Sequence, residues 1–320
     1  MSDSKNKTIY PKPFLKWAGG KTQLLDEIEK HLPTEIKDSK KIDKYFEPFV
    51  GGGAVFFYLK RMGYKIGKPY LSDINKELIL TYKVIKKCPE ELIHELKYIS
   101  KDYKLKNEGE RKEYYYSVRN SFNTSLIDYN YEKPPSEHIE RASQMIFLNK
   151  TCFNGLFRVN SNNEFNVPMG RNKNPLICDE ENILSVSQAL EGAEICDISY
   201  LESEKYIDKK SFVYLDPPYR PLKRDTAFLG YSKNSFDDNS QKELGQFFEK
   251  ISKKGAKALL SNSDPQNTDK SDRFFDDLYE DFNIDRVYAK RYINSKADER
   301  GDISEILVDN YEFISKHFNI

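Results

Sequence analysis

The stretch Phe212-Val213-Tyr214-Leu215-Asp216-Pro217-Pro218-Tyr219 is a strand-like apolar run that stops at a carboxylate. Pro217 and Pro218 have no N–H and restrict their neighbours, so they stiffen the turn and leave carbonyls to accept. A carboxylate, a backbone acceptor and the flat ring of Tyr219 suit a planar group that bears an amine. Such an amine donates two hydrogen bonds while its ring lies on the aromatic face. A proline-rich surface turn is the plain alternative.

Three other stretches hold chemistry-bearing residues. Phe46-Glu47-Pro48-Phe49-Val50-Gly51-Gly52-Gly53, followed by the helical run Ala54 to Leu59, reads as strand, glycine turn, helix. Glycines there let backbone N–H groups approach a ligand closely. About twenty residues on, Leu71-Ser72-Asp73-Ile74-Asn75 ends a second strand on an acid. Asp73 suits either the two hydroxyls of a ribose or the N-cap of the helix that begins at Lys76. Upstream lies Phe14-Leu15-Lys16-Trp17-Ala18-Gly19-Gly20-Lys21-Thr22. Its Gly-Lys-Thr ending looks like a phosphate loop, but Leu15 stands where that motif needs its first glycine. Trp17 is either core or an aromatic wall beside a cationic lysine.

The elements that must position these residues alternate. Strands are expected at Tyr45–Phe49, Pro69–Asp73, Ile195–Tyr200, Phe212–Asp216, Ala256–Ser261, Ile284–Tyr292 and Glu305–Tyr311. Helices are expected at Lys21–His31, Ala54–Arg61, Lys76–Lys86, Gln241–Lys253 and Asp272–Tyr279. Alternation of this kind implies an α/β sheet, mostly parallel. In such a sheet the ligand sits outside the carboxyl ends of the strands, where Glu47, Asp73 and Asp216 fall. Residues 77–190 break the alternation, with a charged helical pattern over Glu90–Asn149, a break at Pro134-Pro135, then an Asn-, Gly- and aromatic-rich hairpin or loop over Lys150–Asn174. This stretch reads as an insertion, leaving 1–76 and 191–320 as the core domain.

Across 320 residues the net charge is zero, with 38% hydrophobic and 32% charged residues, so no global charge points to a nucleic acid or membrane. Local charge does: from Arg141 to Cys178 there are five basic residues and one acidic. The four cysteines show no Cys-x-x-Cys pair and no metal-ligand spacing with histidine, so they read as reduced thiols and no metal is expected. Met1–Tyr10 lacks an apolar signal region and no run reaches membrane-span length, which points to a cytoplasmic chain.

Taken in order, Phe14–Lys21, Phe46–Gly53, Leu71–Asn75 and Asp216–Tyr219 resemble the four signature segments of Dam-like DNA adenine-N6 methyltransferases of the D12 class. The resemblance continues through Phe147–Arg158, Phe165–Arg171 and Ile303–Tyr311, so it spans nearly the whole chain. It implies a Rossmann-like catalytic core with a mixed, mostly parallel seven-stranded sheet, and a helical and β-hairpin DNA-recognition insertion. It also implies S-adenosylmethionine as cofactor and double-stranded DNA, with GATC as target. By the same resemblance Trp17, Gly19, Lys21, Glu47, Phe49, Gly51, Asp73, Ile74 and Asp216 contact the cofactor. Asp216, Pro217, Pro218 and Tyr219 form the catalytic turn.

The resemblance further implies that a flipped adenine presents its N6 amine to Asp216 and the Pro217 carbonyl while Tyr219 stacks on the base. Lys150, Phe153, Asn154, Leu156, Arg158 and Arg171 fall on the DNA side, with Phe153 as a wedge and Arg158 on a guanine edge. Phe153 stands where many relatives have tyrosine, which keeps the wedge and loses a hydroxyl. Arg220–Asn234 reads as a basic loop closing over the base. The chain is expected to be a monomer, acting alone or beside a restriction endonuclease for the same site. The rivals are an N4-cytosine methyltransferase, which more often has serine in place of Asp216, and a DNA-binding module with an inactive pocket.

Overall fold

The computed structural model describes residues 10–127, 129–220, 236–289 and 303–318. Residues 221–234 of the expected basic loop and the end of the expected strand Ile284–Tyr292 lie outside the described residues. By their internal contacts the described residues form two compact units. One draws on Lys21–Val50, Gly63–Ile74 and Ala193–Ile320, the other on Met1–Gly20, Gly51–Met62 and Asn75–Gly192.

The first unit holds a seven-stranded sheet. Its strands are β1 (Lys41–Glu47), β2 (Lys65–Ser72), β3 (Glu194–Cys196), β4 (Ser211–Leu215), β5 (Lys257–Ser263), β6 (Asn283–Ala289) and β7 (Ile303–Asp309), in the order β3-β2-β1-β4-β5-β7-β6. Strands β1 to β5 pair in parallel, and β7 runs antiparallel to both β5 and β6. This is the mixed, mostly parallel sheet of a Rossmann-like α/β fold. All five residues of β4 are buried. A central parallel strand is covered on both faces, so it reads as a continuous apolar run. The helix Asp238–Lys253, capped by the Asp237 carboxylate on the Ser240 N–H, packs Leu244, Phe247, Phe248 and Ile251 with Val213, Leu215, Ala258, Leu260, Ile306 and Val308. Each such large side chain contributes about 1.5–3 kcal/mol by leaving water.

The chain runs outward from β1 through β2 to β3, then returns to the other side of β1 for β4 and β5. The carboxyl ends of β1 and β4 therefore flank the point where the winding reverses, the usual ligand crevice of such sheets. Glu47 ends β1, and Asp216 follows β4. Asp73 follows the neighbouring β2.

The second unit is helical. It contains Ala54–Arg61, Lys76–Lys87, Pro89–Leu105, Glu108–Thr124, Ile139–Thr151 and Glu180–Ala189. Asn75 caps Lys76–Lys87 by accepting from the Leu78 N–H, and Asn107 with Glu110 forms a reciprocal capping box on Glu108–Thr124. A buried ion pair ties the bundle together: Arg141 Nη2 lies 2.6 Å from Glu77 Oε1, and Arg141 Nη1 also donates to the Phe122 carbonyl at 3.0 Å. Such a pair holds its geometry because every charged atom is hydrogen-bonded. Pro134 and Pro135 break the helical pattern and lead into a short 3-10 turn, Pro135–His138.

The segment after Thr151 folds back without forming named strands. It holds a 3-10 turn, Phe153–Gly155, and two isolated antiparallel bridges, Cys152 with Met169 and Val159 with Phe165. Asparagine side chains take over from a regular ladder: Asn123 pairs with the Phe165 N–H and carbonyl, and the Asn160 carboxamide accepts from the Asn162 and Glu164 N–H groups. Asn154 takes a left-handed backbone at φ 56°, and Gly155 follows at φ 68°. No helix among the described residues is long and apolar enough to cross a membrane.

Candidate active site and nucleic-acid interface

In the sheet unit, a four-residue polar network sits where the Asp-Pro-Pro-Tyr turn leaves β4. Lys21, whose side chain is 2% exposed, places Nζ 2.6 Å from Asp216 Oδ1. The same Nζ donates to the Tyr219 hydroxyl at 2.7 Å and lies 4.5 Å from the Tyr219 ring centre. Tyr219 in turn donates its hydroxyl proton to Glu305 Oε2 at 2.7 Å, and Glu305 lies 3.6 Å from Lys21 Nζ. Ser261 on β5 donates to Asp216 Oδ1 at 3.3 Å, and the buried Tyr214 hydroxyl is shared with Ser261.

Burial pushes the Asp216 carboxyl above the usual aspartate range. Lys21 acts against that shift, and Glu305 adds to it. The Tyr219 phenol is also pushed up, by burial first and then by the charges of Glu305 and Asp216, so it stays protonated and remains a donor. The turn itself is braced from behind. Gln241 Nε2 donates to the Pro218 carbonyl at 3.1 Å, and Gln241 Oε1 accepts from Asn262 Nδ2 at 3.1 Å; both side chains are fully buried. Of the two proline carbonyls, that of Pro218 is therefore already engaged.

At the neighbouring strand ends, Glu47 is buried and accepts from the Tyr45 hydroxyl at 2.7 Å. The Val50 N–H bonds to the Ser72 carbonyl at 3.0 Å, fixing the end of β2 beside the start of the glycine turn. Phe49 packs on Tyr200 and Phe236. The Asp73 N–H points to the Cys196 carbonyl. The N-cap of the helix after it is Asn75, which removes that alternative role for Asp73. Ile74 is 69% exposed, an apolar side chain displayed at the ligand edge of the sheet. Two of these side chains fit an adenosyl group: an acid, Asp73, for vicinal hydroxyls and an exposed apolar side chain, Ile74, for a base.

In the helical unit, Gly51 adopts φ +46°, and a Cβ there would lie 2.7 Å from Trp17 Cδ1. A side chain at this position has no room, so the turn requires glycine. Trp17 also stacks on Phe157, with centroids 5.5 Å apart and planes 19° from parallel. Gly19 lies close by in sequence at φ +77°. Asn149, 1% exposed, donates to both the Lys16 and the Gly155 carbonyls at 2.9 Å.

Of the residues expected to meet DNA, Phe153, Asn154, Leu156, Arg158 and Arg171 are exposed, with Phe153 at 46%. Arg158 is steered by its Nε donating to Asn166 Oδ1 at 2.8 Å. Lys150 differs, being partly buried, and burial lowers its pKa from the ordinary lysine value. Burial pushes the neighbouring Cys152 thiol up to about 11, so it offers no thiolate near neutral pH. Among the described residues no cluster of three or more His, Cys, Asp or Glu could hold a metal ion.

Arg220 corrects one expectation. Instead of joining a basic loop over DNA, it is bound to Asp238 and Asp272, each at 2.7 Å, and lies over the Phe274 ring. Two acids therefore neutralise it, and the rest of the expected loop, 221–234, lies outside the described residues. Glu305, Ser261 and Gln241 were not singled out from the sequence. For Glu305 the signal was present, an acid directly before the apolar run Ile306 to Val308, since an acid on a buried strand needs a partner.

Residues 17–293 match a family model described as D12 class N6 adenine-specific DNA methyltransferase. The chain is similar to the type II methyltransferase M.MjaIII of Methanocaldococcus jannaschii, at 49% identity over 301 residues, covering 94% of this chain and 99% of that protein. It is 40% identical to the type II methyltransferase M1.LlaDCHI of Lactococcus lactis subsp. cremoris over 309 residues, covering 96% and 98%. It is also 33% identical to a DNA adenine methylase of Haemophilus influenzae over 312 residues, again covering 96% and 98%.

Proposed function

This chain belongs to the D12 class N6 adenine-specific DNA methyltransferase family, and on that premise we propose that it methylates the adenine of GATC in double-stranded DNA, acting on a flipped-out base. It is an adenine-specific DNA methyltransferase, and its family uses S-adenosylmethionine. The observation that carries the flipped-base reading is the braced Asp216–Tyr219 turn at the winding reversal of the sheet, with Lys21 and Glu305 contacting its two polar tips; the GATC target rests on the family resemblance alone.

The bound cofactor supplies an electrophilic methyl group. Everything else falls to side chains of this protein. The N6 amine of adenine is a weak nucleophile because its lone pair is delocalised into the ring. Asp216 and the Pro217 carbonyl accept its two hydrogens, which localises the lone pair and aims it. Pro218 keeps the turn rigid, and Tyr219 stacks on the base. Flipping the base costs a few kcal/mol, roughly, and stacking on an aromatic ring returns about 1–3 kcal/mol. Positioning and electrostatics are then the catalytic terms. No covalent cysteine step is involved.

Asp73 takes the ribose hydroxyls, Ile74 packs near the cofactor's adenine, and Lys21 lies toward its carboxylate. Glu47 and Phe49 are the further cofactor contacts in the sheet unit. Residues 77–190 serve target recognition, and 1–76 with 191–320 serve catalysis. Within the recognition part Phe153 wedges into the base stack, Asn154 and Leu156 sit beside it, Lys150 adds charge, and Arg158 and Arg171 read base edges. The enzyme works in the cytoplasm as a monomer. The names of two relatives, which are type II methyltransferases, favour a restriction endonuclease acting on the same site.

The test is methyl transfer from labelled S-adenosylmethionine to two duplexes that differ only in containing GATC, followed by nucleoside analysis. N6-methyladenine on the GATC duplex alone is the expected result. Equal transfer to both, or transfer only to genomic DNA, discards the target and keeps the chemistry. N4-methylcytosine discards the substrate.

A further inference from the structure

Strand β7 enters the sheet between β5 and β6, and its Glu305 pairs with Ser263 on one side and Val287 on the other. That position delivers a second carboxylate to the buried Lys21. The Glu305 side chain is 16% exposed and makes two contacts in the network. Its Oε2 accepts the Tyr219 hydroxyl proton at 2.7 Å and lies 3.6 Å from Lys21 Nζ. The Tyr219 oxygen thus donates to Glu305 while accepting from Lys21, which fixes the far end of the ring. Its near end is fixed by the two prolines that precede it.

The network holds one cation and two carboxylates. Lys21 occupies Asp216 Oδ1 at 2.6 Å, an atom of the same carboxylate that must accept an amine hydrogen. When Asp216 turns to the amine, Lys21 loses part of that pairing while still buried. Weakening one ion pair of a buried cation costs free energy unless another acceptor compensates. Glu305 is the second acceptor already within reach.

We propose that Glu305 is a positioning residue for methyl transfer. It holds the Tyr219 ring by its hydroxyl, and it takes up Lys21 so that Asp216 is released to the substrate amine. This role rests on the assignment of Asp216 as the amine acceptor.

The experiment compares wild type, Glu305→Gln, Tyr219→Phe and the double variant, using labelled S-adenosylmethionine and an adenine-containing duplex of a methylated sequence. Thermal melting and cofactor binding accompany the kinetics. Glutamine keeps an acceptor for the Tyr219 hydroxyl and removes the charge for Lys21. The expected result is a kcat lowered about 100-fold in Glu305→Gln, the scale of a small misplacement of reacting groups, with the duplex KM and the melting midpoint little changed. The double variant should lose less than the product of the two single losses, because the Tyr219 hydroxyl and Glu305 both contact Lys21 Nζ. A wild-type kcat in Glu305→Gln overturns the role of Glu305 and leaves the adenine chemistry standing. So does a loss fully explained by a lowered melting midpoint, or losses that multiply. Absence of adenine methylation by the wild-type protein overturns the assignment of Asp216 and this role with it.

Discussion

Asn149 grips the backbone of Lys16 from both sides: its Oδ1 accepts the Lys16 N–H and its Nδ2 donates to the Lys16 carbonyl, both at 2.9 Å. The same carboxamide donates to the Gly155 carbonyl. One buried side chain therefore registers the segment before Trp17 against the turn that displays Phe153 and Asn154. Gly155 has no room for a Cβ, which would lie 2.4 Å from Lys16 Cδ. Asn149→Ala strands buried polar groups and is expected to cost about 1–3 kcal/mol in chemical unfolding. A variant as stable as wild type would show that water or a shift of the turn replaces the carboxamide.

Lys21 opposes the burial that raises the Asp216 carboxyl. If Asp216 accepts the amine hydrogens as proposed, its working form is the carboxylate, so activity is present above its pKa and is lost as the pH falls through it. Lys21→Met removes the opposing charge and lets the pKa rise further. The acid limb of kcat/KM against pH should therefore move to higher pH. An acid limb that stays in place would mean that another group controls it.

Asp73→Ala should weaken S-adenosylmethionine binding about 10- to 100-fold in calorimetry, the value of a charge-assisted hydrogen bond to a hydroxyl pair. Duplex binding without cofactor should be unchanged. An unaltered cofactor dissociation constant would assign the ribose to a different acceptor.

Arg158 is exposed and steered by Asn166, which leaves its outer guanidinium nitrogens to a partner. Arg158→Ala should relax the preference between target and altered duplexes by about 1–3 kcal/mol, the worth of one bidentate contact to guanine. If affinity for all duplexes falls together and the salt slope drops by about 0.9, Arg158 meets phosphate only.

The strands that end at Glu47, Asp73 and Asp216 were legible because each acid stands at or near the end of an apolar run in the sequence, as Asp216 follows Phe212–Leu215. The helices Ala54–Arg61 and Lys76–Lys87 fall where periodicity places them. Among the described residues four α-helices escaped notice, one of them Tyr200–Ser203, which begins where the expected strand Ile195–Tyr200 ends. Thr34–Ser39 is a six-residue helix after a proline, Glu180–Ala189 starts on two acids in a polar stretch, and Tyr311–Phe318 continues what reads as a strand. The place of Glu305 depends on β7 inserting antiparallel between β5 and β6, a long-range pairing that no local pattern encodes. Arg220 reads as part of a basic loop closing over the base because its partners Asp238 and Asp272 lie 18 and 52 residues away.

Trp17 is the only tryptophan among 22 tyrosines and 20 phenylalanines. Its indole is stacked on Phe157, a residue of the segment that carries Phe153 and Arg158. The protein consequently contains its own optical probe. Excited at the red edge, where tyrosine does not absorb, its emission comes from this one ring. Any rearrangement of the Phe157 segment on meeting DNA changes the indole's surroundings, so the event can be timed by stopped-flow mixing with no label attached.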